Sequence, residues 1–134
     1  MPYANAVAPE VFAKAPQLAH IGIELVPELA HDAQRRLHEL RFDNVSVHVG
    51  DGSLGLPEFA PYDKIMVTAA ADLIPPPLLA QLKPGGRMVI PTGIPDTQSL
   101  VLVEKSVTGS LSTHEILAVR FSELEDPGAM AGAA

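Results

Sequence analysis

Two rhythms of apolar positions run along the chain. From Leu18 to Leu25, Ile21, Ile23 and Leu25 alternate with Gly22 and Glu24, the period of a strand. From Pro27 to about Arg41 the period becomes helical. Leu29, Ala33, Leu37 and Leu40 form one stripe, and His31, Asp32, Arg35, Arg36, His38 and Glu39 take the other faces. Asp32 and Arg36 are four residues apart, an ion pair worth about 0.3 kcal/mol. Asp43-Asn44 turns the chain into a second alternating strand, Val45 to Val49. Ser53 to Pro61 reads as a loop, and Lys64 to Thr68 as a third strand. Pro75-Pro76-Pro77 predicts an extended approach to a short helix over Leu78–Leu82, because each proline biases its predecessor away from helix. Gly85 is placed to end that helix in the left-handed region. Arg87 to Pro91 is nearly all apolar, as a central parallel strand is. Asp96 to Ser99 reads as polar and exposed. Leu100–Lys105 and Leu111–Phe121 flank Val107-Thr108-Gly109-Ser110 as an antiparallel hairpin, with Leu100, Leu102 and Glu104 on one face and Val101 and Val103 on the other. His114 falls mid-strand. Before Leu18, Pro2, Pro9 and Pro16 punctuate the chain and leave room for a short helix over Glu10–Ala15. The small-residue tail from Glu125 is expected to be disordered.

Strand, helix, strand in this order predicts an α/β fold. In open parallel sheets ligands bind outside the carboxyl ends of strands, so three places matter. Glu24 lies near the carboxyl end of the first strand. Its two coplanar oxygens can accept both hydroxyls of a ribose, or the carboxylate simply faces water. Gly50-Asp51-Gly52 ends the second strand. Asp51 can accept from an exocyclic amine and Gly52 lets backbone approach a ring, or the three residues make a plain tight turn. Thr68-Ala69-Ala70-Ala71 ends the third. Its small side chains leave room for a substrate and expose backbone groups, or they serve close helix–strand packing.

Composition narrows the field. The chain has 134 residues, enough for one domain that buries roughly two thirds of its unfolded surface. It is 47% hydrophobic and 19% charged, a globular balance. A formal net charge of -7, with no basic run longer than Arg35-Arg36, argues against a nucleic-acid partner. Without cysteine there is no disulfide, thiolate metal site or thiol nucleophile. His31 and His38 stand two helical turns apart with no third ligand nearby in sequence, so no metal site is expected. No apolar stretch approaches the ~20 residues of a membrane span, and no signal-peptide pattern opens the chain. The expected location is the cytoplasm.

One block carries a resemblance. Gly50-Asp51-Gly52, Ala60-Pro61-Tyr62-Asp63 leading into a strand, Thr68 to Ala71, the run Ile74–Leu82, and Leu82-Lys83-Pro84-Gly85-Gly86-Arg87-Met88-Val89-Ile90-Pro91-Thr92-Gly93 together resemble the protein-L-isoaspartate O-methyltransferase family. The likeness reaches upstream to Ile21 and, more weakly, downstream to Phe121, about three quarters of the chain. It implies a Rossmann-like, S-adenosylmethionine-dependent methyltransferase sheet with an antiparallel carboxyl-terminal hairpin, over residues 1–124. The implied reaction is methyl transfer from S-adenosyl-L-methionine to the carboxylate of L-isoaspartyl residues in damaged proteins. Glu24 and Leu25 would hold the ribose side of the cofactor, and Asp51 and Gly52 the adenine, with Leu54, Leu56 and Phe59 covering its face. Thr68, Ala69 and Ala70 would face the substrate. The resemblance assigns no catalytic residue and no metal to this chain.

The chain also departs from the family pattern. A Ser- and His-bearing substrate segment, a first strand and a Gly-rich loop precede the matched part in the family, yet no glycine occurs before Gly22. Ser122-Glu123-Leu124 replaces the family's Val-Pro-Leu. In this fold the first strand lies between those expected at Leu18–Leu25 and Lys64–Thr68. Each unpaired buried backbone group costs about 1–3 kcal/mol, against a net domain stability of about 5–15 kcal/mol. Three outcomes are open. The two strands pair directly, a partner or second copy supplies the strand by association, or residues near Tyr3–Val7 fill the gap. A second function class, a non-catalytic fragment or interaction subunit that keeps the fold, stands beside the enzyme.

Overall fold

A computed structural model of the chain describes residues 20–124. The helix expected over Glu10–Ala15, the segment Tyr3–Val7 and the tail from Glu125 lie outside those residues. The chain divides into two units, Met1–Gly52 and Ser53–Ala134.

The first unit holds β1 (His20–Glu24), α1 (Pro27–Glu39) and β2 (Val45–Val49). β1 and β2 are parallel, in register from His20 opposite Val45 to Glu24 opposite Val49. Pro27 opens α1, where its missing N–H is no loss. The outward N–H of Val47 is taken by the Gln34 side chain at 2.8 Å, tying the helix to the strand. The expected stripe is only partly right: Ala30 is the buried residue of α1, and Leu40 lies past the helix end, exposed. Asp32 pairs with Arg35 at 3.2 Å rather than with Arg36.

α1 ends two residues before the expected boundary, in a closed left-handed cap. Phe42 N–H reaches Leu37 O at 2.9 Å and Arg41 N–H reaches His38 O at 3.0 Å. That pattern puts Arg41 at the left-handed position, with φ 63°, where glycine is normal. Arg41→Gly is therefore expected to stabilise the fold by about 1 kcal/mol, the cost a side chain incurs in that conformation. A urea midpoint that fails to rise would contradict it.

Among the described residues the second unit holds a four-stranded sheet in the order β3-β4-β5-β6, formed by β3 (Tyr62–Met66), β4 (Leu82–Ile94), β5 (Thr97–Lys105) and β6 (Leu111–Val119). β3 runs parallel to β4, and the other pairs are antiparallel. The carboxyl-terminal hairpin is as expected: Val101 and Val103 are buried, Leu100 and Leu102 half-buried, and His114 exposed. α2 (Pro76–Gln81) covers the sheet. Leu78, Leu82, Met88, Ile90, Val101 and Val103 form the core, with Ile65, Val67, Ile74 and Leu79 against it.

Several boundaries moved, each for a local reason. Only Pro75 is extended; Pro76 and Pro77 occupy the first turn of α2, where the amides have no intrahelical partner anyway. β3 starts two residues earlier than the apolar run suggests, because Tyr62 already pairs with Leu82. Gly85 does have a positive φ of 86°, but it does not end the helix. The helix stops at Gln81 since Leu82 is drawn into the sheet as a fully buried strand residue. Gly85 instead bends the chain between two stretches of β4, whose register jumps from Leu82 opposite Tyr62 to Arg87 opposite Lys64. Thr97 to Ser99 belong to β5, and Gln98 is buried, against the expectation of an exposed loop.

Among the described residues β1 pairs with β2 and β3 with β4, in separate sheets. Each strand is held in the ladder of its own unit.

Candidate functional site

In the first unit, register places two acceptor carboxylates at one end of the sheet. Glu24 is the last residue of β1, and Gly50-Asp51-Gly52 follows β2 directly. The ladder continues one rung beyond the strands, with Gly50 N–H on Glu24 O at 3.0 Å. That bond keeps the turn beside the end of β1. Glu24, Leu25, Asp51 and Gly52 are all half-buried, so they stay within reach of solvent. Among the described residues the Glu24 carboxylate has no hydrogen bond or ion pair. Carboxylate residues at two neighbouring strand ends, with Glu24 uncommitted, can accept from a diol and from an amine. At the opposite end of β1, desolvation lowers the pKa of His20.

In the second unit a cleft of about 310 Å³ opens beside the end of β3. It is lined by Ser53, Ala70, Ala71, Asp72, Pro75, Glu123 and Leu124. Of the expected substrate residues only Ala70 lines it; Thr68 and Ala69 do not. Nor are the backbone groups of Ala70 open to a ligand, as the small-residue run suggested. Ala70 N–H donates to Ser122 O at 2.8 Å, and its carbonyl accepts from Leu124 N–H at 2.6 Å. Ala71 is stitched to β4 in the same way, donating to Pro91 O at 3.2 Å and accepting from Gly93 N–H at 3.0 Å. The run is a seam between the end of β4 and the segment after β6, and its small side chains let three backbones lie close. Glu123 and Leu124, from the stretch where the sequence leaves the family pattern, make one wall of the cleft.

Sequence reading missed three side chains that shape this region. Gln81 is buried; its Nε2 donates to Leu54 O and its Oε1 accepts from Leu56 N–H, both at 2.9 Å. A Cβ at Gly55 would overlap that amide, so the clasp fits only a glycine. Tyr62 Oη donates to Leu56 O from the other side. Burial, with the neighbouring Glu58 carboxylate, raises the Tyr62 pKa and keeps the phenol a donor. Gln98, also buried, accepts from Phe121 N–H at 2.7 Å and donates to Phe121 O at 3.2 Å. Gln81 had a visible signal, as a polar residue three after Leu78 on the apolar stripe of a short helix. Gln98 had none nearby, since its partner is 23 residues away.

The family described as protein-L-isoaspartate(D-aspartate) O-methyltransferase (PCMT) matches residues 2–128. A protein-L-isoaspartate O-methyltransferase 1 from Polaromonas sp. strain JS666 is 56% identical over 104 residues, which cover 78% of this chain and 44% of the relative. The chain spans about half the length of the curated relatives it matches. A solved protein-L-isoaspartate O-methyltransferase superposes with a TM-score of 0.71 at 26% identity, over 88% of this chain and 46% of that one. A Plasmodium falciparum structure of the same name, in complex with S-adenosyl-L-homocysteine, gives 0.67 at 23% identity, over 78% and 51%. The latter likeness concerns the fold alone.

Proposed function

The chain belongs to the protein-L-isoaspartate O-methyltransferase family, and from that premise we propose that it serves methyl transfer from S-adenosyl-L-methionine to the carboxylate of L-isoaspartyl residues in damaged proteins. The observation that carries the reading is the bond from Gly50 N–H to Glu24 O, which holds the Glu24 and Asp51 positions side by side. The residues fit the cofactor chemically. Glu24, uncommitted among the described residues, would accept the ribose hydroxyls next to Leu25, and Asp51 and Gly52 would take the adenine amine and ring edge. Bound there, S-adenosylmethionine supplies an electrophilic methyl on a sulfonium, and the isoaspartyl carboxylate is itself the nucleophile. The chain's task is then to hold and orient, so proximity supplies the rate and no metal or covalent intermediate is called for.

On the substrate side we assign Ala70, together with the cleft it lines, to the isoaspartyl peptide; Thr68 and Ala69 would act as its support. The protein partners are isoaspartyl-containing proteins or peptides, and no nucleic acid is expected. Among the described residues no helix is long and apolar enough to cross a membrane; we place the protein in the cytoplasm. Association that supplies a strand to β1 or β3 remains part of this reading, with a second copy as the simplest donor.

Titration calorimetry of S-adenosylhomocysteine into the chain tests the cofactor half. Saturable binding is expected, with Glu24→Ala weakening it by about 1–3 kcal/mol, the value of hydrogen bonds to a charged acceptor. Indifference to the substitution would remove Glu24 from the site. Transfer of labelled methyl to an isoaspartyl peptide tests the whole. Binding without turnover favours the alternative, a non-catalytic chain that retains the fold.

A further inference from the structure

The two buried polar side chains of the second unit's described residues, Gln81 and Gln98, do the same thing in different places. Each spends its amide donor and acceptor on one stretch of irregular backbone. Gln81 holds Leu54 to Leu56, the stretch that follows Ser53. Gln98 holds Phe121, the residue before Ser122-Glu123-Leu124. Ser53 and the Glu123–Leu124 pair line the same cleft from different parts of the chain. Neither stretch belongs to a strand or long helix that would place it otherwise. Leu54 to Leu56 leaves a single 3-10 turn, and Ser122 to Leu124 runs as irregular chain bridged to Ala70.

We infer that Gln98, with Gln81 opposite, is a positioning residue for the isoaspartyl peptide: the two amides fix the walls of the cleft at Ala70 and thereby its width. This rests on the reading of that cleft as the substrate site. The physical ground is the cost of an unmade bond. Phe121 N–H and C=O are matched by one planar amide, so moving the wall breaks two hydrogen bonds at once. A glutamine on β5 inherits the rigidity of a central strand, paired with β4 on one side and β6 on the other. The wall borrows that rigidity through the side chain. An apolar residue of similar size would fill the space and withdraw both bonds from Phe121.

The test compares the full-length chain with Gln98→Leu, and with the near-isosteric Gln98→Met should the leucine variant not fold. Three quantities are read: affinity for a fluorescent isoaspartyl hexapeptide, affinity for S-adenosylhomocysteine, and amide exchange by residue. The expected result is peptide binding weakened about tenfold, the worth of one to two hydrogen bonds, with S-adenosylhomocysteine affinity unchanged. Exchange at Phe121 and Leu124 should quicken while Met88 and Val103 stay protected. A variant that binds peptide as the parent does, or whose Phe121 amide is no more labile, overturns the inference alone. A parent chain that binds no isoaspartyl peptide overturns the reading of the cleft and the inference with it, whereas the exchange data still report separately whether Gln98 holds the wall.

Discussion

Gly93→Ala is expected to destabilise the second unit by about 3 kcal/mol or more, because a strained backbone and a backbone clash act together. Gly93 has φ 123°, open to glycine and strained for any other residue. A Cβ there would overlap the carbonyl oxygen of Thr97 and crowd the Cα of Gln98, neither of which is a flexible side-chain end that can swing away. Relief requires the β4–β5 turn to open. That turn aligns Gly93 with Gln98 and Ile94 with Thr97. Opening it also disturbs the bond from Gly93 N–H to Ala71 O, so the seam beside Ala70 loosens with it. Urea denaturation should show a large fall in midpoint with little change in slope. A loss below about 1 kcal/mol would mean that the hairpin accommodates the methyl by a shift the structure does not suggest.

Met88→Ala is the second large effect, expected to cost about 2–5 kcal/mol. Met88 is 0% exposed and lies on β4, the strand that joins β3 to β5. It pairs with Ile65 on one side and Val103 on the other, and belongs to the cluster that α2 closes through Leu78. Removing its three outer heavy atoms leaves a hole bounded by regular strands that cannot collapse far, and unfilled volume adds to the lost transfer energy. Against a total of about 5–15 kcal/mol, the loss takes a sizeable share of the stability. Val107→Ala, at an 83% exposed position in the β5–β6 turn, is the control and should stay within about 0.5 kcal/mol. Equal effects from the two would show that the cluster around Met88 is not the centre of stability.

The fold was legible where local chemistry and global placement agree. Val45 to Val49 alternates and forms β2 at those bounds, and Val101 and Val103 face inward as their parity requires. The strand around Glu24 was readable for the same reason. Legibility failed where a distant partner decides. Leu82 looks like the end of a helix, and its own helical neighbours give no hint that Tyr62 claims it for the sheet. Gln98 shares strand parity with Leu100 and Leu102, not with Val101 and Val103, so alternation could not mark it as buried; the backbone of Phe121 does. Arg41 reads as helix by composition, while only the carbonyls of Leu37 and His38 reveal the left-handed cap. At the candidate site the same division holds. The Glu24 and Asp51 positions follow from strand ends, which pattern locates. The Ala70 seam follows from Ser122 and Leu124, some fifty residues further on, and no local pattern contains that.

The bond between Gln34 and Val47 has a consequence for self-association. A two-stranded parallel sheet has an outer rim whose N–H groups invite any extended chain that drifts past. On β2 the middle N–H of that rim is already occupied, from within, by the Gln34 carbonyl at 2.8 Å. An intruding strand would have to displace the helix side chain before it could complete its ladder. The rim of β2 is therefore guarded against fibril-like growth by a residue of its own unit, and stray annealing is steered away from it.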